Sequence, residues 1–249
     1  MRLGKERGLP LDFPVEYKNG FVKFLNCKID LRNRVFIPRI ETEFWVSQVL
    51  KELKNAEKCS RHIKMKKLRI LDIFAGSGCI GIAILKARPK LCRRVDFIDI
   101  DEKAISQIKI NLRLNEIPKN RYRIYKSNLF EKFTPHRTCS GAGLKNKKYD
   151  YIFANPPYVA KGRLNEVQPS VLKYEPKRAI LAGKGGLFYI RKFLKESKNF
   201  LKPNGVIYLE IDPQQKDDIE NILEKQRYKK SKFFKDQFKK YRFVKINVT

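Results

Sequence analysis

Asn155-Pro156-Pro157-Tyr158 is the stretch of this sequence best equipped for chemistry. It follows an apolar run, Tyr151 to Ala154, that reads as a buried strand. Two consecutive prolines fix two φ angles and remove two backbone donors, so the strand ends there. The residue before each proline is also pushed towards extended backbone. The product is a stiff turn that gathers an amide side chain (Asn155), freed carbonyls (Asn155 and Pro156) and an aromatic ring (Tyr158). Such carbonyls can accept both hydrogens of a planar NH2 group while the ring stacks on its face. That grip aims the nitrogen lone pair at an electrophile.

A second constellation lies upstream. Leu68 to Ile73 reads as a short strand, Phe74-Ala75-Gly76-Ser77-Gly78 as a tight turn, and Cys79 to Arg88 as a helix. A glycine turn between strand and helix lets backbone approach a nucleotide closely and puts amides at a helix N-terminus. No Gly-Lys-Ser/Thr follows, so this is not a phosphate-binding P-loop. Val95 to Ile98 is the next strand and closes on Asp99, about twenty residues past Gly78. A carboxylate at that place can accept from both hydroxyls of a ribose.

The elements that must hold these groups alternate. A hairpin is predicted from Phe21 to Leu31 with Val35-Phe36-Ile37, turning at Arg32-Asn33-Arg34. Thr42 is the predicted N-cap of a helix from Glu43 to Lys54, with Phe44, Val46, Val49, Leu50 and Leu53 on its inner side. Lys54 to Lys67 reads as a basic linker. Asp101 is the predicted cap of a helix over Glu102 to Asn115, and Tyr122 to Tyr125 a third strand, ending at Ser127-Asn128-Leu129. Thr134 to Lys148 reads as a surface loop and Val159 to Lys184 as a long irregular segment that walls the site. Helices are expected at Gly186 to Lys198 and Asp217 to Gln226, a strand at Gly205 to Ile211, and two strand-like runs between Lys229 and Thr249. Alternating strands and helices mean a parallel α/β sheet, with an antiparallel pair at the end.

Composition excludes several classes of function. The two histidines, His62 and His136, sit in polar segments, which argues against a Ser-His-Asp triad and a histidine-rich metal site; no metal is expected. The five cysteines are scattered with no Cys-x-x-Cys pair, the pattern of reduced thiols in a cytosolic protein. No run of about 18 apolar residues predicts a membrane span, and the N-terminus has no apolar signal core. The formal net charge of +30 points to RNA or ribosome proximity, or to a lysine-rich surface with no partner.

Taken together, Asp72 to Gly78, Asp99 and Asn155 to Tyr158 resemble motifs of class I S-adenosylmethionine-dependent methyltransferases. Pro38-Arg39-Ile40-Glu41-Thr42-Glu43 resembles the Pro-Arg-Pro-Glu-Thr-Glu stretch of the PrmC/HemK family, which methylates a glutamine side-chain nitrogen in peptide chain release factors. Tyr174 to Ala179 and Gly205 to Ile211 are similar to later segments of that family. The resemblance implies a Rossmann-like, seven-stranded, mostly parallel sheet with helices on both faces, preceded by a short β-hairpin. Residues 1–40 would be the lead-in and hairpin, with the family's helical domain essentially missing, and residues 41–249 the methyltransferase domain.

The resemblance also implies roles. Asp72, Phe74, Ala75, Gly76, Ser77 and Gly78 would hold the cofactor's methionine portion, Asp99 and Ile100 its ribose, and Asn128 and Leu129 its adenine. Asn155, Pro156, Pro157 and Tyr158 would orient the acceptor amide, with Arg39 and Glu41 on the substrate side; Asn155, Pro156 and Tyr158 are the catalytic candidates and Asn155 also meets the cofactor. The sequence departs from the family at Phe74-Ala75, where Gly-Thr is usual, at Asn128, often Asp, and at Ile40, usually Pro. A cytoplasmic monomer acting on a release factor, with no membrane association, is expected. An exocyclic amine of adenine or guanine in RNA or DNA is planar and conjugated like a glutamine amide, so it stays open as the acceptor. A non-catalytic RNA- or ribosome-binding protein on the same scaffold is the third reading.

Overall fold

A computed structural model of the chain describes residues 9–59, 67–133 and 148–248. The predicted Thr134 to Lys148 loop, all but Lys148, and both histidines lie outside the described residues. In chain order the elements are α1 (Val15–Asn19), β1 (Phe21–Phe24), β2 (Cys27–Asp30), α2 (Ile40–Cys59), β3 (Leu68–Ile73), α3 (Cys79–Ala87), β4 (Cys92–Asp99), α4 (Glu102–Leu114), β5 (Tyr122–Lys126) and β6 (Tyr149–Ala154). Then come α5 (Pro169–Tyr174), α6 (Lys177–Ile180), α7 (Phe188–Ser197), β7 (Leu201–Glu210), α8 (Lys216–Lys225), β8 (Lys230–Lys235) and β9 (Tyr241–Asn247).

Seven strands form one sheet in the order β5-β4-β3-β6-β7-β9-β8. β3 to β7 pair in parallel, while β9 runs antiparallel to both β7 and β8. Because side chains alternate across a strand, the sheet carries two apolar layers. Ile70, Val95, Phe97, Phe153 and Tyr208 pack on one face with Trp45, Val46 and Val49 of α2 and with α3 and α4. Leu71, Ile73, Ile152, Ile207 and Val244 pack on the other with α7 and α8. Aromatic rings knit the first layer: Phe153 and Tyr208 stack at 5.3 Å between centroids, Trp45 and Phe243 at 5.6 Å. Pairs of this kind add about 0.5–1.5 kcal/mol each beyond area burial.

Chain direction across the sheet reverses between β3 and β6, since successive strands from β3 step one way and those from β6 the other. Their ends are in register, Ile73 beside Ala154. The crevice at such a switch point is where open α/β sheets take ligands. The glycine turn after β3 and the double-proline turn after β6 therefore stand side by side.

The first hairpin differs from expectation. β1 and β2 pair in a separate two-stranded sheet, with the turn at Leu25-Asn26, where Leu25 is left-handed at φ +50°. Asp30 ends β2 because its carboxylate accepts from the Arg32 backbone N–H (3.0 Å), the Arg32 guanidinium and Gln107. Among the described residues no strand therefore pairs with Val35 to Ile37, though Val35 and Ile37 are buried. α4 clamps the hairpin: Asn111 accepts from the Asp30 backbone N–H (2.8 Å) and donates to the Ser77 carbonyl (2.9 Å). α2 begins three residues before Glu43 and runs to Cys59, well into the predicted linker. Its first turn carries Glu41 and Glu43, which favour a helix N-terminus. The segment after the double proline is built from short helices: a 3-10 stretch over Lys161–Glu166, then α5 and α6, closed by a bridge from Val159 to Leu181.

Candidate active site

One cavity of about 430 Å³ opens at the switch point, lined from both turns. Of the residues predicted to form the site, Phe74, Ala75, Gly76, Ser77, Asp99, Ile100, Asn128, Leu129, Asn155, Pro156, Pro157, Tyr158, Arg39 and Glu41 all line it. Asp72 and Gly78 do not.

The turn after β3 is held by its own backbone. Phe74 (φ +60°), Gly76 (φ +53°) and Gly78 (φ +80°) are all left-handed. Phe74 is a non-glycine residue in a conformation that is strained for bulky side chains. Its ring is fixed edge-on by Phe193 and Tyr189 at 6.2 and 6.1 Å. The Ala75 N–H donates to the Ile98 carbonyl (3.0 Å) and the Gly78 N–H to the Ala75 carbonyl (2.7 Å). Gly78 then starts α3.

Asp72 works beneath this turn. Its Oδ2 accepts from the Gly81 N–H at 2.9 Å, and among the described residues its Oδ1 has no hydrogen-bond partner. Burial pushes its carboxyl up to about 8, against the opposing Gly81 hydrogen bond and with help from the Asp99 charge. Gly81 is required for space: a Cβ there would lie 2.4 Å from the Phe97 ring. α3 therefore sits hard against β4 and points its N-terminus at the cavity.

Asp99 ends β4 with both carboxylate oxygens aligned. Oδ2 accepts from the Gly76 N–H (2.8 Å) and Oδ1 from the Asp101 N–H (2.9 Å). Each oxygen keeps a second lone pair. Burial holds the carboxyl above its ordinary range in spite of these bonds. Ile100 beside it is 43% exposed, whereas Leu129 across the cavity is buried and left-handed at φ +52°. The Asn128 amide donates to Glu131 at 2.5 Å.

On the β6 side Pro156 is buried, and among the described residues no N–H donates to its carbonyl. The Tyr158 carbonyl accepts from Gln215 Nε2 at 2.9 Å. Burial raises the Tyr158 hydroxyl above its usual range, so the ring is neutral. Asn155 donates to Thr42 Oγ1 at 3.4 Å. Thr42 in turn donates to Glu210 Oε2 at 2.7 Å, and the Trp45 indole N–H donates to the same oxygen at 2.7 Å. Thr42 is thus not the N-cap of α2. It lies inside the first turn, and its hydroxyl serves the cavity wall.

Arg39 and Glu41 differ in kind. Arg39 Nη2 donates to Glu175 Oε1 (2.5 Å), its guanidinium sits 4.5 Å over the Phe36 ring, and Glu175 Oε2 accepts the Ile37 N–H (3.0 Å). This ties the strand-like approach to α2 to the α5–α6 segment and closes one wall. Glu41 lines the cavity half-buried. Sequence reasoning missed Glu210, Glu175 and Gln215. A single acid closing the apolar run Val206 to Leu209 is the one signal that could have found Glu210.

The chain is similar to several known proteins. A family model described as Conserved hypothetical protein 95 matches residues 51–192. The Release factor glutamine methyltransferase of Thermodesulfovibrio yellowstonii is 34% identical over 209 residues, which is 84% of this chain and 67% of that one. The protein of the same name from Flavobacterium psychrophilum is 31% identical, covering 94% of this chain and 75% of that one. This chain belongs to the release factor glutamine methyltransferase family. A Bifunctional methyltransferase of Rickettsia conorii is 32% identical over 90% of this chain, which spans 43% of that longer protein. Among solved structures, Thermus thermophilus 16S rRNA N2 G1207 methyltransferase aligns with TM-score 0.60 and 15% identity, over 92% of this chain and 50% of that one. Ribosomal protein L11 methylase from Lactobacillus delbrueckii aligns with TM-score 0.53 and 16% identity, over 86% and 80%. These two likenesses speak to the fold alone.

Proposed function

We infer that this protein transfers a methyl group from S-adenosylmethionine to the side-chain amide nitrogen of a glutamine in a peptide chain release factor. The observation that carries it is the double-proline turn facing the glycine turn and Asp99 across one cavity, in a chain of this family.

The residues fit the cofactor. Asp99 presents two oxygens, each steadied by a backbone N–H and each with a lone pair left for a vicinal diol. Ile100 and Leu129 supply apolar surface for a planar ring, and the Phe74 to Ser77 backbone supplies a close wall for an amino-acid portion. When bound, S-adenosylmethionine supplies an electrophilic methyl group on a sulfonium.

An amide nitrogen is a poor nucleophile because its lone pair is delocalised into the carbonyl. In this reading the Asn155 side-chain carbonyl and the Pro156 carbonyl accept the two NH2 hydrogens, and Tyr158 packs on the amide plane. The acceptors stabilise the positive charge that builds on nitrogen as the N–C bond forms, and the fixed turn contributes proximity and alignment. In this reading no histidine is needed before attack. Residues 41–249 act as the catalytic domain, with the hairpin bracing α4 and the glycine turn. Among the described residues no helix is long and apolar enough to cross a membrane; the reading places the protein in the cytoplasm as a monomer, with RNA or the ribosome nearby.

The test uses purified protein, radiolabelled S-adenosylmethionine and three acceptors: a release factor, the same factor with its target glutamine replaced, and total RNA. Label on the intact factor alone is the expected result. Label on RNA alone would move the acceptor to a base amine.

A further inference from the structure

We propose that Thr42 and Glu210 are positioning residues that set the polarity of the Asn155 amide, so that its oxygen and not its NH2 faces the acceptor. Three elements meet to do this: the first turn of α2, the last residue of β7 and the turn after β6. β6 and β7 are neighbours with Ala154 paired to Leu209, so Asn155 and Glu210 follow at the next step of the same ladder.

The polarity follows by elimination from the donor-only end of the chain. The Trp45 indole nitrogen can only donate, so Glu210 Oε2 accepts there at 2.7 Å. The same oxygen lies 2.7 Å from Thr42 Oγ1, and an ionised carboxylate has no hydrogen to give, so the Thr42 hydrogen is spent on Glu210. Burial raises the Glu210 carboxyl; the polarity holds with Glu210 ionised or protonated on Oε1, whereas a proton on Oε2, given to Thr42, would reverse it. What Thr42 has left is lone pairs, and the Asn155 amide group turned towards it at 3.4 Å must be the donor, Nδ2. The bond is long, as contacts in such sites commonly are before a substrate draws them in. A flipped amide would set the Asn155 oxygen against the Thr42 lone pairs. Trp45, Thr42 and Glu210 are 0%, 1% and 1% exposed, so water does not relieve that clash.

The consequence concerns the acceptor. With Nδ2 committed to Thr42, Asn155 Oδ1 is free to join the Pro156 carbonyl, giving two acceptors for two hydrogens. The reversed amide would oppose N–H to N–H and leave one hydrogen unmatched. The kinetic part of this proposal rests on the methyl-transfer reading; the orientation of Asn155 does not.

The experiment pairs Thr42→Val, which keeps the shape and removes the acceptor, with Thr42→Ser, which restores it. In the full chain with selectively 15N-labelled asparagine, the Asn155 side-chain NH2 (assigned by its loss in Asn155→Asp) should show NOEs to the Thr42 side chain. Those to residue 42 should persist in Thr42→Ser and vanish in Thr42→Val. In parallel, Thr42→Val should lower kcat on a release factor 10- to 100-fold, with KM for S-adenosylmethionine within 3-fold of wild type and recovery in Thr42→Ser. Wild-type NH2 protons directed away from Thr42, or a Thr42→Val kcat equal to wild type, would overturn the proposal. Should Thr42→Val fail to fold, the wild-type NOE pattern decides. Should wild type transfer nothing to the factor, the methyl-transfer reading fails while the NOEs still test the orientation.

Discussion

Asn155→Ala removes one of two proposed acceptors for the NH2 hydrogens and leaves Asp99 and the glycine turn intact. Loss of a single preorganised charge-stabilising group typically lowers kcat about 10²- to 10³-fold, and that drop is expected here, with the dissociation constant for S-adenosylmethionine, read by calorimetry, within about 3-fold of wild type. Equal loss of turnover and cofactor binding would contradict the assigned role. Asp72 makes a second prediction, in stability. Its folded carboxyl titrates at about 8 and its unfolded one near 3.8, so between those values the folded state holds the extra proton. Stability is then fully present below about pH 4 and falls as pH rises towards 8, by at most about 1.4 kcal/mol per pH unit. Asp72→Asn keeps an oxygen for the Gly81 N–H and cannot ionise. Wild type should therefore lose stability relative to Asp72→Asn between pH 5 and pH 8, measured by urea unfolding at each pH; parallel curves would refute the shift. Residue identity announced Asn155 and Asp99 because a double proline and a strand-ending acid leave local marks. It could not announce that Thr42 and Glu210 are partners, because the hydrogen bond that joins them spans 168 positions of chain.

Between residue and fold stands the closing segment, α5 and α6, fastened by Glu175. That buried carboxylate takes the Ile37 N–H and the Arg39 guanidinium together. Glu175→Ala strands a buried backbone donor and leaves Arg39, itself partly exposed, without its acceptor. A loss of about 1–3 kcal/mol is expected in denaturant unfolding, with a raised KM for the release factor as the wall loosens; unchanged values of both would remove Glu175 from this role. Gly186, just past the segment, is a second fixed point. It has φ +72°, and a Cβ there would stand 2.4 Å from both Gln215 Nε2 and the Tyr158 carbonyl. Gly186→Ala should displace the double-proline turn and reduce turnover, whereas Gly185→Ala, where a Cβ meets nothing within 4 Å, should leave it unchanged. Periodicity revealed the regular elements well, because sheet strands and amphipathic helices carry their partners in their own spacing. It failed where tertiary contacts decide. Asp30 ends β2 through Gln107 and Arg32, which moves the hairpin turn to Leu25-Asn26. The stretch over 159–184 looked irregular because helices of four to six residues are too short to show a period.

At the scale of the molecule the dominant quantity is charge. With 56 lysines and arginines against 26 acids, 30 cations would lack an acidic partner even if every carboxylate took one. Self-repulsion of this size works against the compact state. Its reach is set by the Debye length, about 30 Å at 0.01 M salt and about 10 Å at 0.1 M, so salt in that range screens repulsion across the whole molecule. Salt also weakens exposed ion pairs such as Lys173–Asp12 and Lys126–Glu102, but pairs of that kind contribute only about 0–1 kcal/mol each. The buried pair of Asp236 with Arg242 is screened far less. Repulsion therefore wins, and the thermal midpoint should rise as sodium chloride goes from 10 to 200 mM. At about 2–4 °C per kcal/mol for a chain of this size, a gain of 1–2 kcal/mol appears as a shift of several degrees in a calorimetric scan. Substituting potassium for sodium should leave the curve unchanged, since the effect belongs to ionic strength. A midpoint that falls with salt would mean that the acids are placed to neutralise far more cations than one each, and the surplus charge would then have to be read as a patterned surface built around its own counter-charges.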